Sequence, residues 1–152
     1  ALLERAERLL DCFGWNGVAM VEFKEDAATG EPVLMEVNGR FWGSLQLAID
    51  SGVDFPSRLV ALAAGGPAGG LPPTWRVGTR TRWWWGDVDH LLARFLRPAS
   101  SLHLPPDAPS RLRALSAFLT ATLRSRNEVL RLDDPVPGVL ETVQRFTQVV
   151  GR

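Results

Sequence analysis

Four side chains in one short stretch, GVAMVEFKEDAATGEPVLMEVNGRFWGS (residues 17–44), carry the chemical interest of this chain: Glu22, Glu36, Asn38 and Arg40. Side chains on a strand repeat with period two, so Glu36 and Asn38 project from one face. An antiparallel hairpin turning near Thr29 sets Glu22 opposite Glu36, with the carboxylates about 5 Å apart. Two like charges at that distance repel, and each loses hydration on a covered sheet. A cation between them reverses the penalty. Two carboxylates and an amide oxygen are hard donors that suit Mg²⁺ or Mn²⁺, and the lack of His or Cys among them argues against zinc. Magnesium in such sites keeps ligand places for water and phosphate, and the planar fork of Arg40 suits a pair of phosphate oxygens. The spacing leaves one ordinary alternative open, a hairpin whose acidic face is simply solvated.

The elements that must position these residues follow from pattern. Leu2, Leu3, Ala6, Leu9, Leu10 and Phe13 fall on one helical face, and Gly14 stops that helix. Residues 17–24 read as a strand with Val18, Met20 and Glu22 on one face. Residues 25–30 carry turn chemistry, and residues 32–38 form a second strand with Leu34, Glu36 and Asn38 sharing a face. The short connection predicts antiparallel pairing. Ser44 is placed to cap a short helix ended by Gly52, and Asp54 the next one, with Pro56 in its first turn. GGPAGGLPP (residues 65–73) is the clearest loop, and it ends no strand with the Gly-Lys-Ser/Thr of a P-loop, so it reads as a linker.

Beyond it, Trp75 to Trp85 reads as a strand with Arg76, Arg80 and Arg82 on one face. A helix capped by Asp87 then runs to about Leu96, and a long helix covers about 108–124 with Leu112, Leu115, Leu119 and Leu123 inward. A strand at 128–132 and a last helix with Leu140, Val143, Phe146 and Val150 buried complete the chain. Helices interleaved with antiparallel strand pairs give an α+β class.

The run VEFKEDAATGEPVLMEVNGRFWGS resembles the metal-binding hairpin of the ATP-grasp superfamily, near its carbamoyl-phosphate-synthetase-like and carboxylate–amine ligase branches. The matching parts are the acidic residue of VEF, the E-x-N of MEVN and the arginine two beyond the asparagine. GSLQLAIDSGVDFPSRLVALAAG is similar to the helical segment that follows in those enzymes. The resemblance implies that residues 1–66 form the C-terminal part of an ATP-grasp domain, with a linker at 67–74 and a helical α+β extension at 75–152. It implies that Glu22 and Glu36 hold magnesium bridging the ATP phosphates, that Asn38 takes a second metal, and that Arg40 steadies the transferring phosphoryl group. The implied reaction joins a small carboxylate to an amine through an acyl phosphate. Gly39 stands where the family often has proline. Those enzymes also clamp ATP against N-terminal subdomains that supply lysines and a glycine-rich loop, whereas Lys24 is the sole lysine here. The chain therefore reads as one part of a longer enzyme, inactive by itself. The reading from another class is a non-catalytic binding or interaction domain that kept the hairpin.

Composition narrows the partners. The chain has 152 residues, 45% hydrophobic and 22% charged, enough for a real core. Formal net charge is zero, which predicts neither nucleic acid nor an anionic membrane as a partner. No apolar run reaches spanning length. One cysteine, Cys12, excludes an internal disulfide and fits a reducing cytosol; its place late on the first helix predicts a buried filler. His90 and His103 read as structural. The run Arg80 to Trp85 reads as aromatic packing edged by arginines, with a stacking surface for a sugar or base as the other possibility.

Overall fold

In a computed structural model, residues 2–66 and 74–150 are described, with side chains as far as Gln148. The predicted linker at 67–74 falls almost wholly outside the described residues. Among the described residues six α-helices and two small sheets make a mixed α+β architecture, divided into two units, Ala1–Val77 and Gly78–Arg152.

In the first unit, α1 (Leu2–Cys12) leads into the hairpin of β1 (Met20–Glu25) and β2 (Pro32–Asn38), followed by α2 (Leu45–Asp50) and α3 (Phe55–Ala63). Gly14 and Gly52 adopt φ of 58° and 101° past the ends of α1 and α2, the left-handed conformation that releases a chain from a helix. Asp54 caps α3 by accepting from the Ser57 N–H at 3.0 Å. Ser44 occupies the N-cap position of α2 without a side-chain bond. Cys12 is exposed, not a buried filler, because α1 packs through Leu3, Ala6 and Leu10 and leaves Cys12 outside that line.

β1 and β2 pair antiparallel, with Glu22 opposite Glu36 and Met20 opposite Asn38. Between Glu22 and Phe23 the register slips by one: Phe23 pairs with Leu34, so Met35 is an extra residue on β2. This bulge corrects one expectation. Cross-strand partners share a face, so Leu34 joins Phe23 on the face opposite Glu22 and does not stand beside Glu36. An apolar cavity of about 690 Å³, lined by Leu3, Ala6, Leu10, Val21, Phe23 and Leu59 among others, lies on that other face.

The residues Trp75–Trp85, which run from the first unit into the second, do not form one long strand. β3 is only Thr81–Arg82, and Trp84 already begins α4 (Trp84–Leu96), with Trp83 rather than Asp87 at its N-cap. α5 (Arg111–Arg124) is capped by Ser110, whose hydroxyl accepts from the Arg113 N–H at 3.3 Å. β4 (Arg126–Asn127) pairs with β3 in parallel, not antiparallel, since two helices lie between them in sequence, and α6 (Val136–Val150) ends the chain.

The pivot of this unit is Arg82, 8% exposed. Its Nε donates to Asp87 Oδ2 at 2.8 Å, its Nη1 to the Phe118 carbonyl at 3.1 Å and to Thr122 Oγ1 at 2.6 Å, and it lies 4.6 Å over the Phe118 ring. One guanidinium thus ties β3, α4 and α5. α6 also docks through polar groups: Trp83 Nε1 donates to Glu141, Trp85 Nε1 to Thr142, and Arg145 pairs with Asp89 while covering the Trp85 ring. The outward consequence reverses a prediction. Leu112, Leu115, Leu119 and Leu123 on α5, and Leu140, Val143 and Phe146 on α6, are exposed rather than buried. The side chain of Val150 lies outside the described residues.

The hairpin turn rests on Asp26. Its Oδ1 accepts from the Thr29 N–H, the Ala28 N–H and the Thr29 hydroxyl at 2.9–3.0 Å, and Gly30 adopts φ 71°. The Thr29 backbone bond, then the Thr29 hydroxyl and the Ala28 backbone, hold the carboxyl below its ordinary 3.8. A carboxyl lowered on folding stabilises fully above its unfolded value and loses that contribution as pH falls through the folded one. Acidification below about pH 4 is therefore expected to loosen this turn, read from amide exchange at Ala28 and Thr29. Asp26→Ala should show the loosened turn already at neutral pH, and unchanged exchange in that variant contradicts the assignment.

Candidate functional site

Glu22, Glu36 and Asn38 come together on one face of the hairpin. Glu22 and Glu36 are direct partners, and Asn38 sits two residues along β2 from Glu36, opposite Met20. Both carboxylates are exposed and Asn38 is half-buried. Among the described residues neither carboxylate has an ion pair or a hydrogen bond. Paired like charges with no countercharge are what a bound cation relieves.

The donor set fits a hard divalent ion. Two carboxylates and an amide oxygen are present, and among the described residues no group of three or more His, Cys, Asp or Glu comes together that could complete a protein-only cage. Open ligand places are characteristic of magnesium held jointly by carboxylates and phosphates. The exposed face leaves room for them.

Arg40 lies beyond the strand end, and the structure does not bring it onto the carboxylates. It is exposed, and its Nη1 donates to the Phe41 carbonyl at 2.9 Å, which leaves other guanidinium N–H groups for a ligand. Two aromatic contacts place the segment that carries it. Trp42 packs edge-on against Phe55 of α3, ring centroids 5.2 Å apart. Trp15 lies over Gly39, so that a Cβ added there would sit 2.4 Å from its Cζ-side ring carbon Cη2.

Gly39 is thus a steric requirement, and no positive φ is involved. The proline common at this position in the resembled family would meet the same indole. Sequence reading missed Trp15, because no periodicity connects it to residue 39. The only signal available was the glycine itself. It also missed the Met35 bulge, which alternation alone does not reveal. Ser44, His90, His103 and Cys12 have no place among the residues gathered on this face.

Residues 1–85 match a family model described as an ATP-grasp in the biosynthetic pathway with the Ter operon. The chain belongs to the ATP-grasp family. It is a family of ligase type, and the match includes the whole hairpin, Arg40 and α3, ending at Trp85. No curated protein and no solved structure matches the chain. Among the described residues no helix is long and apolar enough to cross a membrane.

Two outcomes follow from this geometry. Removing one of the opposed charges, in Glu36→Gln, should raise metal-free stability by about 0.5 kcal/mol, reduced toward zero at high salt. Added Mg²⁺ should stabilise the wild type and not the variant; thermal melts with and without the ion measure both. Gly39→Ala should displace the Trp15 indole from its 3.3 Å bond to the Val18 carbonyl and cost about 1–2 kcal/mol. Trp15→Ala should remove most of that cost in the double variant, and strict additivity in the cycle contradicts the contact.

Proposed function

We propose that this chain is the magnesium- and phosphate-holding part of an ATP-dependent carboxylate–amine ligase. The observation that carries the reading is the Glu22–Glu36 pair, opposed without a countercharge and flanked by Asn38, in a chain of the ATP-grasp family. Glu22 and Glu36 would hold Mg²⁺, or Mn²⁺, against the ATP phosphates, with Asn38 adding an amide oxygen. A metal held by these residues would supply charge neutralisation at the phosphates. Arg40 would donate to the oxygens of the γ-phosphoryl group, its segment held by Trp15 over Gly39 and by Trp42 against Phe55.

The chemistry proceeds in two balanced steps. A substrate carboxylate oxygen attacks the γ-phosphorus, and the bond to the β–γ bridging oxygen breaks with its electrons leaving on ADP. The amine nitrogen then attacks the acyl carbon, inorganic phosphate leaves, and the nitrogen gives up a proton. No side chain of this chain becomes a nucleophile. The opposing wall of the ATP site comes in this reading from N-terminal ATP-grasp subdomains, since Lys24 is the only lysine available to meet phosphate.

The scarcity of lysine also favours a second reading, in which the hairpin binds Mg-nucleotide without turnover. The full-length enzyme separates the two. Glu36→Ala is expected to lower ATP turnover by about 10²-fold or more while leaving the far-ultraviolet dichroism unchanged. Near-normal turnover in that variant overturns the ligase reading. Mg-ATP binding by a wild type that never turns over establishes the second one.

A further inference from the structure

Three consecutive tryptophans lead into α4, and they are not alike. Trp83 Nε1 donates to Glu141 and Trp85 Nε1 to Thr142, both on α6, whereas among the described residues Trp84 Nε1 has no acceptor. Trp84 instead lines a cavity of about 260 Å³ together with Arg82, Thr122, Ser125, Asn127 and Leu130, all within the second unit. Arg82 and Asn127 are register partners on β3 and β4, so their side chains leave that small sheet on one face. Thr122 lies in the last turn of α5, and Ser125 is its C-cap.

The side chains around this cavity are rich in idle donors and poor in idle acceptors. Arg82 commits Nε to Asp87 and Nη1 to the Phe118 carbonyl and Thr122, but its Nη2 is buried without a partner. Buried polar groups ordinarily find one. Asn127 Oδ1 accepts the Val129 and Leu130 N–H groups at 2.9 and 3.0 Å. That fixes the orientation of the amide and leaves Nδ2, among the described residues, with no acceptor. The Ser125 hydroxyl is likewise unbonded there. The Thr122 hydroxyl, by contrast, is fully used, since it takes a bond from Arg82 and donates to the Phe118 carbonyl at 2.9 Å. No carboxylate lines the cavity, and Asp87 already balances the charge of Arg82. The first turn of α4 and the last turn of α5 meet here with opposite dipole ends, which offset. Donors, rather than net charge, therefore decide what fits.

A ligand matched to this lining brings acceptors and no donors. An ionised carboxylate is acceptor-only, with two oxygens, whereas an amide or amidinium brings N–H groups that find no idle side-chain acceptor. At about 30 Å³ for each water in the liquid, the cavity has room for roughly eight or nine water-sized groups. Trp84 and Leu130 give apolar walls to the carbon part.

We infer that this cavity binds a small monocarboxylate carried on an apolar body, of about the size of benzoate. Asn127 Nδ2, the Ser125 hydroxyl and Trp84 Nε1 donate to its oxygens. Side-chain adjustments of the kind common on binding bring an oxygen to Arg82 Nη2. The inference stands on the second unit alone and does not rest on the ligase reading.

Titration of the intact protein with benzoate, followed by the indole and side-chain amide signals in proton–nitrogen correlation spectra, tests this. Trp84→Phe assigns the Trp84 indole signal. Benzoate should shift that signal and the Asn127 amide together, with a dissociation constant of about 1 mM or lower. Benzamidine, planar and similar in size but donating only, should bind at least about tenfold more weakly. Asn127→Asp keeps the oxygen that holds residues 129 and 130 and replaces the donor with a negative charge, so it should abolish benzoate binding with dichroism unchanged. Ser125→Ala, which touches no bond of the fold, should weaken binding by about three- to tenfold and serves if the first variant fails to fold. Equal or tighter binding of benzamidine overturns the inference. So does benzoate binding that survives both variants, or the lack of any saturable shift at Trp84 below about 10 mM.

Discussion

The opposition of Glu22 and Glu36 is the constraint on which the first unit turns. Two carboxylates facing each other across a hairpin are a local liability, since the sheet forces them together and among the described residues no cation pairs with either. Everything around them serves to hold that opposition rather than relieve it. Asp26 closes the turn with three bonds to one oxygen, which sets the register that pairs residue 22 with residue 36. The Met35 bulge lets Phe23 and Leu34 share the apolar side while Glu36 and Asn38 remain on the polar one. A slip of one residue would exchange the faces and scatter the donors.

The two faces of that hairpin divide the work. One bears the oxygen donors and is open to solvent, as a site sharing its metal with phosphates must be. The other carries Val21 and Phe23 toward α1 and α3 around a large apolar cavity. Trp15 connects the two functions, since it lines that cavity and also covers Gly39 beside the segment carrying Arg40.

The second unit follows a different logic. Its described interior is organised by buried arginines, with Arg82 and Arg94 among the least exposed residues and Val53 and Ala114 the only apolar ones of comparable burial in the described chain. Arg94 donates to the Pro109 carbonyl, tying α4 to the segment before α5. Guanidinium groups can do this because one planar fork reaches several acceptors on different elements. The leucine stripe of α5 is left facing outward, while Phe146 of α6 keeps an edge-on contact with Trp85.

Much of the first unit was legible in the sequence, for a physical reason. Period-two alternation, glycine at helix ends and the cap at Asp54 are local, so the helices, the hairpin and the pairing of Glu22 with Glu36 follow from residues near each other in the chain. The α+β class and the ATP-grasp resemblance rest on the same local pattern. Tertiary structure alone decided the rest. The bulge at Met35 depends on which neighbour the strand meets, and the need for glycine at residue 39 depends on an indole from residue 15. Thr81 and Arg82 pair with residues 126 and 127 in parallel only because two helices carry the chain back. Helical periodicity told that α5 has a leucine side and an alanine side. Which of them turns inward was settled by the small residues and Phe118 fitting beneath Arg82, a contact that no spacing along the chain encodes.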